Sequence, residues 1–495
     1  MKKKKMTLDV NEKPSLGKWV ILAIQHVFAM FGATILVPIL VNAAAGETVL
    51  TIPVALVTSG IGTLIYILCT KGRSPVYLGS SFAFIAPIAA AYAKGGIAGA
   101  MTGVMVVGLI YVIVAFIIKL IGKDWLDKIL PPVIIGPMIM IIGLGLAPSA
   151  ISQMGLAAGS AIEWKVVLVA FVAFIVTAVV MTMAKGFLKV IPFLIGIIAG
   201  YIMACVLGVV DFKAVMDASF FSLPHFEVPF ISYKPTFIAV LTISPIALVT
   251  ICEHIGDHTS LSNIIEKDLL KDPGLDRTLM GDGIATFVAG LLGGPANTTY
   301  GENTSVVGLT KVASVWVIGL AAIFAIIIGF LGKFTALVST IPNAVLGGVS
   351  LLLYGFIAVN GLKVLIKNQV NFEKAKNVIV ASSMLVLGLG GAAISITSGD
   401  LSVSFSGMSL AAIVGIILNL IIPEEHDEDE ETEVVDKKEK DTKKEVTSTS
   451  LSKEIEELKN SIKEELTVQL KEDIIESIKE ELNKDNNETK KKSKK

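Results

Sequence analysis

Apolar runs of membrane-spanning length constrain this chain more than any other feature. Those at 19–41, 48–69, 97–120, 131–147, 165–184, 187–209, 236–260, 279–292, 314–332, 335–357, 376–394 and 407–422 are nearly free of charge. A helix needs about 20 apolar residues to cross the hydrocarbon core. Hydrophobic residues make up 53% of the chain, which is high for a soluble domain. The first run is longer than a signal-peptide core and has no clear cleavage site, so it reads as a span.

Charge is segregated. Of the 43 acidic and 42 basic residues, 24 and 16 follow Pro423, leaving 19 and 26 in the body before it. The chain therefore divides into a tail at 1–16, a membrane body at 17–423, an acidic linker at 424–450 too poor in apolar residues to fold, and a soluble tail at 451–495. In that last tail Leu451, Ile455, Leu458, Ile462, Leu466 and Leu470 recur at three or four residues. The stripe suits a coiled coil, an interfacial helix or a solvated helix. Lys2 to Lys5, Lys71 and Arg73, Lys119 to Lys128, Lys267 to Arg277 and Lys363 to Lys376 all fall on one face if the segments number fourteen. The positive-inside bias makes that face, and both termini, cytoplasmic. Cys69, Cys205 and Cys252 sit within apolar runs, lack metal-ligand spacing and read as small core residues.

Two shorter pieces, 76–93 and 296–311, bring the count to about fourteen. One reads Tyr77-Leu-Gly-Ser-Ser-Phe-Ala-Phe84, the other Asn297-Thr-Thr-Tyr-Gly-Glu-Asn303. Each opens with extended residues, passes a glycine and continues as a short helix. Counted in order they are the third and the tenth segments, at matching places in two halves of seven. Polar backbone at membrane depth is tolerated only where protein shields it or a cavity lies beside it. Paired interrupted segments of this kind point to a transporter's substrate site, although two unrelated re-entrant loops would look the same.

The run Glu253-His-Ile-Gly-Asp-His258 puts four ionisable groups within six residues after an uncharged stretch from Phe237. Glu253 and Asp257 share a helix face one turn apart. Charge inside a span normally faces a cavity, a partner or an ion path; the competing reading has the run emerging into water, with Asp257 and His258 merely solvated. Glu302 is a second membrane carboxylate, and an acidic set of this kind suits a proton relay. These motifs offer a hard cation too few oxygen ligands, and nothing near them resembles an enzyme's nucleophile. In the first run Gln25 and His26 are adjacent, which favours a cavity over plain packing for His26.

At these residues the chain resembles the nucleobase–ascorbate transporter family, and within it the bacterial uracil-transporting branch. The likeness covers roughly 12–423. It rests on Gln25-His26 with Phe28-Ala-Met-Phe-Gly-Ala-Thr34, on Tyr77 to Ile85, on Glu253-His-Ile-Gly-Asp257, on Lys271-Asp-Pro-Gly-Leu275, on Asn297 to Asn303 and on Gly347 to Tyr354. The resemblance implies an all-α polytopic membrane protein of about fourteen segments in two inverted repeats of seven. Core and gate domains follow, with short antiparallel strands in the third and tenth segments. It also implies a homodimer in the cytoplasmic membrane. No cofactor, metal or nucleic-acid partner is expected.

Carried over, the resemblance makes Glu253 and Glu302 the substrate carboxylates, with backbone N–H groups of Phe82 and Gly301 facing the substrate. Ser81, Tyr300 and His26 join the binding set, and Glu253 or Asp257 carries the coupled proton. Uracil offers two N–H donors, two carbonyl acceptors and two flat faces. The carboxylates can accept from the donors, half-helix N–H groups can serve the carbonyls, and Phe82 and Tyr300 can cover the faces. Ser305 stands where the family signature starting at Glu302 has glycine, a departure expected to reshape close packing along the tenth helix. A purine (xanthine or urate) permease, or an anion exchanger of the same architecture, remains open.

Overall fold

The computed structural model describes residues 6–398, 401–423, 456, 458–461 and 463. Its first unit, residues 1–423, and its second, from Glu424 onward, are separate compact units. Within the second, the described residues are helical. The remainder of the expected linker and amphipathic stripe lies outside the described residues.

The first unit is built from helices. α1 (Leu16–Ala45), α2 (Ile52–Cys69), the strand β1 (Leu78–Ser80) and α3 (Ile85–Ile121) open it. α4 (Asp124–Ile129), α5 (Pro132–Gly145), α6 (Ala147–Gln153), α7 (Trp164–Met183), α8 (Pro192–Val206) and α9 (Lys213–Asp217) follow. Next come α10 (Val240–Ile243), α11 (Ile246–Ile265), α12 (Leu275–Leu291), β2 (Asn297–Thr299) and α13 (Gly301–Thr310). α14 (Val315–Gly329), α15 (Gly332–Ser339), α16 (Asn343–Lys367), α17 (Ala375–Leu389), the strands β3 (Ala393–Ser398) and β4 (Leu401–Ser406), and α18 (Gly407–Ile421) complete it. Among the described residues seven helical stretches are long and apolar enough to cross a membrane, and four shorter ones are apolar.

Proline and glycine set several boundaries. Gly96, at φ 58°, breaks α3 into a half-helix and a following span, because only glycine adopts that conformation at little cost. The span expected at 335–357 is instead α15 and α16, separated at Pro342, which precedes the first turn of α16 in an extended conformation. A proline there lacks the N–H that would continue the earlier helix. The run expected at 376–394 ends at Leu389, and Ala393–Ser406 forms an antiparallel hairpin, Ala393 opposite Ser406. Its alternation of Ile394, Ile396, Val403 and Phe405 with serines and threonines is a strand period that the hydropathy reading passed over.

The helices pack in two groups. α1, α2, α3, α12 and α14 lie on one another, with β1 against α2 and α13 against α1 and α11. α5, α7, α8, α16, α17 and α18 form the other group. Outward positions stay apolar: Phe171, Ile175 and Val179 on α7 are all exposed, as a lipid-facing surface requires.

Candidate functional site

The expected strands of the third and tenth segments pair with each other. β1 and β2 run antiparallel with Leu78 opposite Thr299, Gly79 opposite Thr298 and Ser80 opposite Asn297. The pairing extends outward: Ser81 N–H donates to Ala296 O at 2.9 Å, and Tyr300 N–H to Tyr77 O at 3.1 Å. Backbone groups at membrane depth are thus satisfied by the partner segment. Side chains of neighbouring helices complete the ribbon. Ser59 and Thr63 hydroxyls donate to Leu78 O at 2.7 and 3.1 Å, and the Asn297 amide donates to Thr58 O and Ala285 O.

A half-helix starts from each strand. After β1, Phe82 opens a 3-10 turn leading into α3, and after β2, Gly301 opens α13. First-turn N–H groups of a helix have no partner inside it and carry the positive end of its dipole. Gly301 is exposed and Phe82 half-buried. Glu302 lies in the first turn of α13 and is half-buried.

α11 starts after Pro245 and runs on to Ile265, so its ionisable run lies in the middle of the helix. Glu253 and Asp257, one turn apart, are half-buried, whereas His254 and His258 are wholly buried. Asp257, Asp282 and Glu302 all lie near enough to act electrostatically on Glu253. The Thr299 hydroxyl donates to Asp257 Oδ2 at 2.5 Å, tying the α11 carboxylate to the end of β2. Among the described residues Glu253 has no side-chain hydrogen-bond partner. A half-buried carboxylate in that condition is an acceptor free for a ligand.

Two of the expected residues, Tyr300 and His26, bond within the framework. Tyr300 is 3% exposed; its ring stacks on Tyr77 with centroids 6.5 Å apart, and its hydroxyl donates to Ser80 O at 3.0 Å and bonds Thr34 at 3.1 Å. Its ring therefore braces the ribbon. His26, 1% exposed, accepts the Asn303 amide at both Nδ1 and its carbonyl, each at 3.1 Å, which joins α1 to α13. Ser81 is buried, and its Oγ has no partner among the described residues. Ser305 is exposed and its hydroxyl donates to Gly301 O at 2.9 Å, so no tight packing exists there for it to disturb.

The sequence reading missed Asp282, on α12, whose Oδ2 accepts from His254 Nδ1 at 2.8 Å with both side chains fully buried. Its signal was available, since it stands as a lone carboxylate at the start of an apolar run. His258, left open between water and core, stacks on His254 and accepts or donates to Tyr66 through Nε2 at 2.5 Å.

The Xan_ur_permease family model, described as "Permease family", matches residues 17–397. The chain is similar to the uracil permease of Bacillus subtilis (strain 168), 49% identical over 438 residues, covering 87% of this chain and 99% of that one. It is similar to the uracil permease of Bacillus caldolyticus at 48% over 427 residues, covering 85% and 95%. Among solved structures, the transmembrane domain of the cyanobacterial bicarbonate transporter BicA matches with a TM-score of 0.54 and 15% identity, covering 83% of this chain and 100% of that domain; that likeness concerns the fold alone. The protein is a multi-pass membrane permease rather than an enzyme, and it belongs to the nucleobase–ascorbate transporter family.

Proposed function

We propose that this chain imports uracil across the cytoplasmic membrane together with protons, by alternating access, with both termini in the cytoplasm. One observation carries the reading: unpartnered Glu253 on α11 lies within electrostatic reach of Glu302, in the first turn of the half-helix α13 that follows the β1–β2 strand pair. Carboxylates supply acceptors for the two N–H groups of uracil, and the first-turn N–H groups of Phe82 and Gly301 supply donors for its carbonyls. Phe82 remains available to cover one face. Relatives named uracil permease, at 48% and 49% identity, support the same substrate.

The coupled proton is carried by Glu253 or Asp257, since ionisable side chains within spans are the usual relay groups of transporters. The site-bearing group around α1, α2, α3 and α12 acts as the core, and the group around α5, α7 and α16 acts as the gate and dimer surface. Three carboxylates at the cleft oppose an anion as substrate.

Glu253→Gln keeps the shape but replaces an acceptor oxygen by a donor. Labelled uracil uptake should be lost while the protein still inserts in the membrane; uptake equal to wild type sinks the assignment. Strong competition by xanthine would move the substrate to the purines.

A further inference from the structure

The residues ahead of α1 are stitched to the site-bearing helices. Thr7 N–H donates to Lys311 O at 2.7 Å, Ala313 N–H to Leu8 O at 2.9 Å and Val315 N–H to Val10 O at 2.9 Å. Leu8 pairs in parallel with Val312, so the segment adds a strand to the connection between α13 and α14. Ser314 Oγ donates to Glu12 O at 2.5 Å. Val10 is 2% exposed and packs in an apolar cluster with Leu261 and Ile265 of α11 and Val307 of α13.

The same segment reaches the end of α11. Lys267 Nζ, two residues beyond Ile265, donates to both Asp9 carboxylate oxygens at 2.7 and 2.8 Å. Lys13 lies over the rings of Trp19 and Trp316, 4.5 and 5.2 Å from their centroids, and Trp19 Nε1 donates to Trp316 O at 2.7 Å. That cluster fixes the strap at its other end, between the starts of α1 and α14.

We propose that residues 7–13 are a positioning strap that holds the ends of α11 and α13 in register and so sets the spacing of Glu253 and Asp257 against Glu302. The proposal rests on the functional reading given above. Eight residues separate Asp257 from the end of α11, and eight separate Glu302 from the end of α13. At the helical rise, both arms are about 12 Å long. Helices this short move as rigid bodies, so a shift at the strapped ends reappears at the carboxylates. A tail serving only to anchor the chain would bond to one of these ends; this one bonds to both.

The test measures KM and maximal rate of uracil uptake, normalised to protein in the membrane, for Asp9→Lys, Lys267→Asp and the exchanged pair. Each single reversal should raise KM by roughly two- to fivefold, the range an exposed pair supplies, and the exchange should restore it. Deletion of residues 2–12 should raise KM further. Unchanged KM in the single variants overturns the strap, as does a rise that the exchange leaves in place. A fall in protein level at constant KM overturns it too, because it assigns the segment to folding alone. A wild-type chain that takes up no uracil refutes the proposed function and the strap with it.

Discussion

Gly79→Ala is a one-carbon perturbation placed where the two half-helices depend on each other. A Cβ on Gly79 would stand 2.7 Å from the Tyr300 hydroxyl oxygen and nearer still to two of its ring carbons, so the ring must move. Overpacking of this kind costs about 1–3 kcal/mol. Moving the ring also gives up its hydrogen bonds to Ser80 O and Thr34, at about 1 kcal/mol each, for a total of about 3–5 kcal/mol. Tyr300 immediately precedes Gly301, so a third of that cost expressed as displacement of the α13 start would lower uracil affinity roughly tenfold. Ligand-induced thermal shift of the purified protein reads the affinity, and the unliganded midpoint reads the strain. Tyr300→Ala removes the obstructing ring, so the double variant should be less impaired than the sum of the two single ones. Additive losses, or a Gly79→Ala protein that binds like wild type, would refute the claim that the Tyr300 ring couples ribbon to site.

Thr299→Val keeps the side-chain shape while removing the donor to Asp257; uracil uptake should fall roughly tenfold, from a charged hydrogen bond worth about 1.5 kcal/mol at the lower end of its range, as read in a transport assay. Asp282→Ala should destabilise the protein by about 1–3 kcal/mol, because it leaves the buried His254 Nδ1–H without its acceptor, whereas Asp282→Asn keeps an acceptor and costs less; thermal midpoints compare the two. The hydrogen bond from Lys267 holds the Asp9 carboxyl below the ordinary carboxylate range. A depressed folded-state value means that the stabilisation is complete above the unfolded value, about 3.9, and fades as the pH falls through the lower folded one. Asp9→Asn should therefore lower the thermal midpoint equally at pH 6 and pH 8, with the difference from wild type vanishing only in strong acid.

Much of this was legible because membrane chemistry makes polar residues conspicuous. Glu253, Asp257 and Glu302 stood out as carboxylates in apolar surroundings, and the strands at Leu78–Ser80 and Asn297–Thr299 announced themselves as extended, glycine-bearing breaks. Their pairing with each other could be guessed from their matching ordinal positions, but its register could not. The framework bonds of Tyr300 and His26 were not legible, because residue type gives chemistry without direction: both rings are buried in packing between helices. Residues 1–16 read as a cytoplasmic tail, yet Leu8 and Val10 within it pair with the connection at 312–315, about 300 positions away. Nothing local could show that.

The division of labour among polar groups supports placing the proposed substrate site at the ribbon. Hydroxyls of Ser59, Thr63 and Thr286 donate to backbone carbonyls of the two strands, and the Asn297 amide donates to carbonyls of α2 and α12. The buried Asp282 accepts a hydrogen bond from His254 through one oxygen, and Asp257 accepts one from Thr299. Glu253 has no such companion, and the N–H groups at the starts of the two half-helices have none by the geometry of helix termini. Acceptor and donors without protein partners therefore converge at one place, where a flat neutral molecule carrying both kinds of group can satisfy them together. Because the strand pair draws one strand from each half of the membrane body, neither half can present these groups without the other. A substitution in either ribbon strand should consequently impair binding by both half-helices at once.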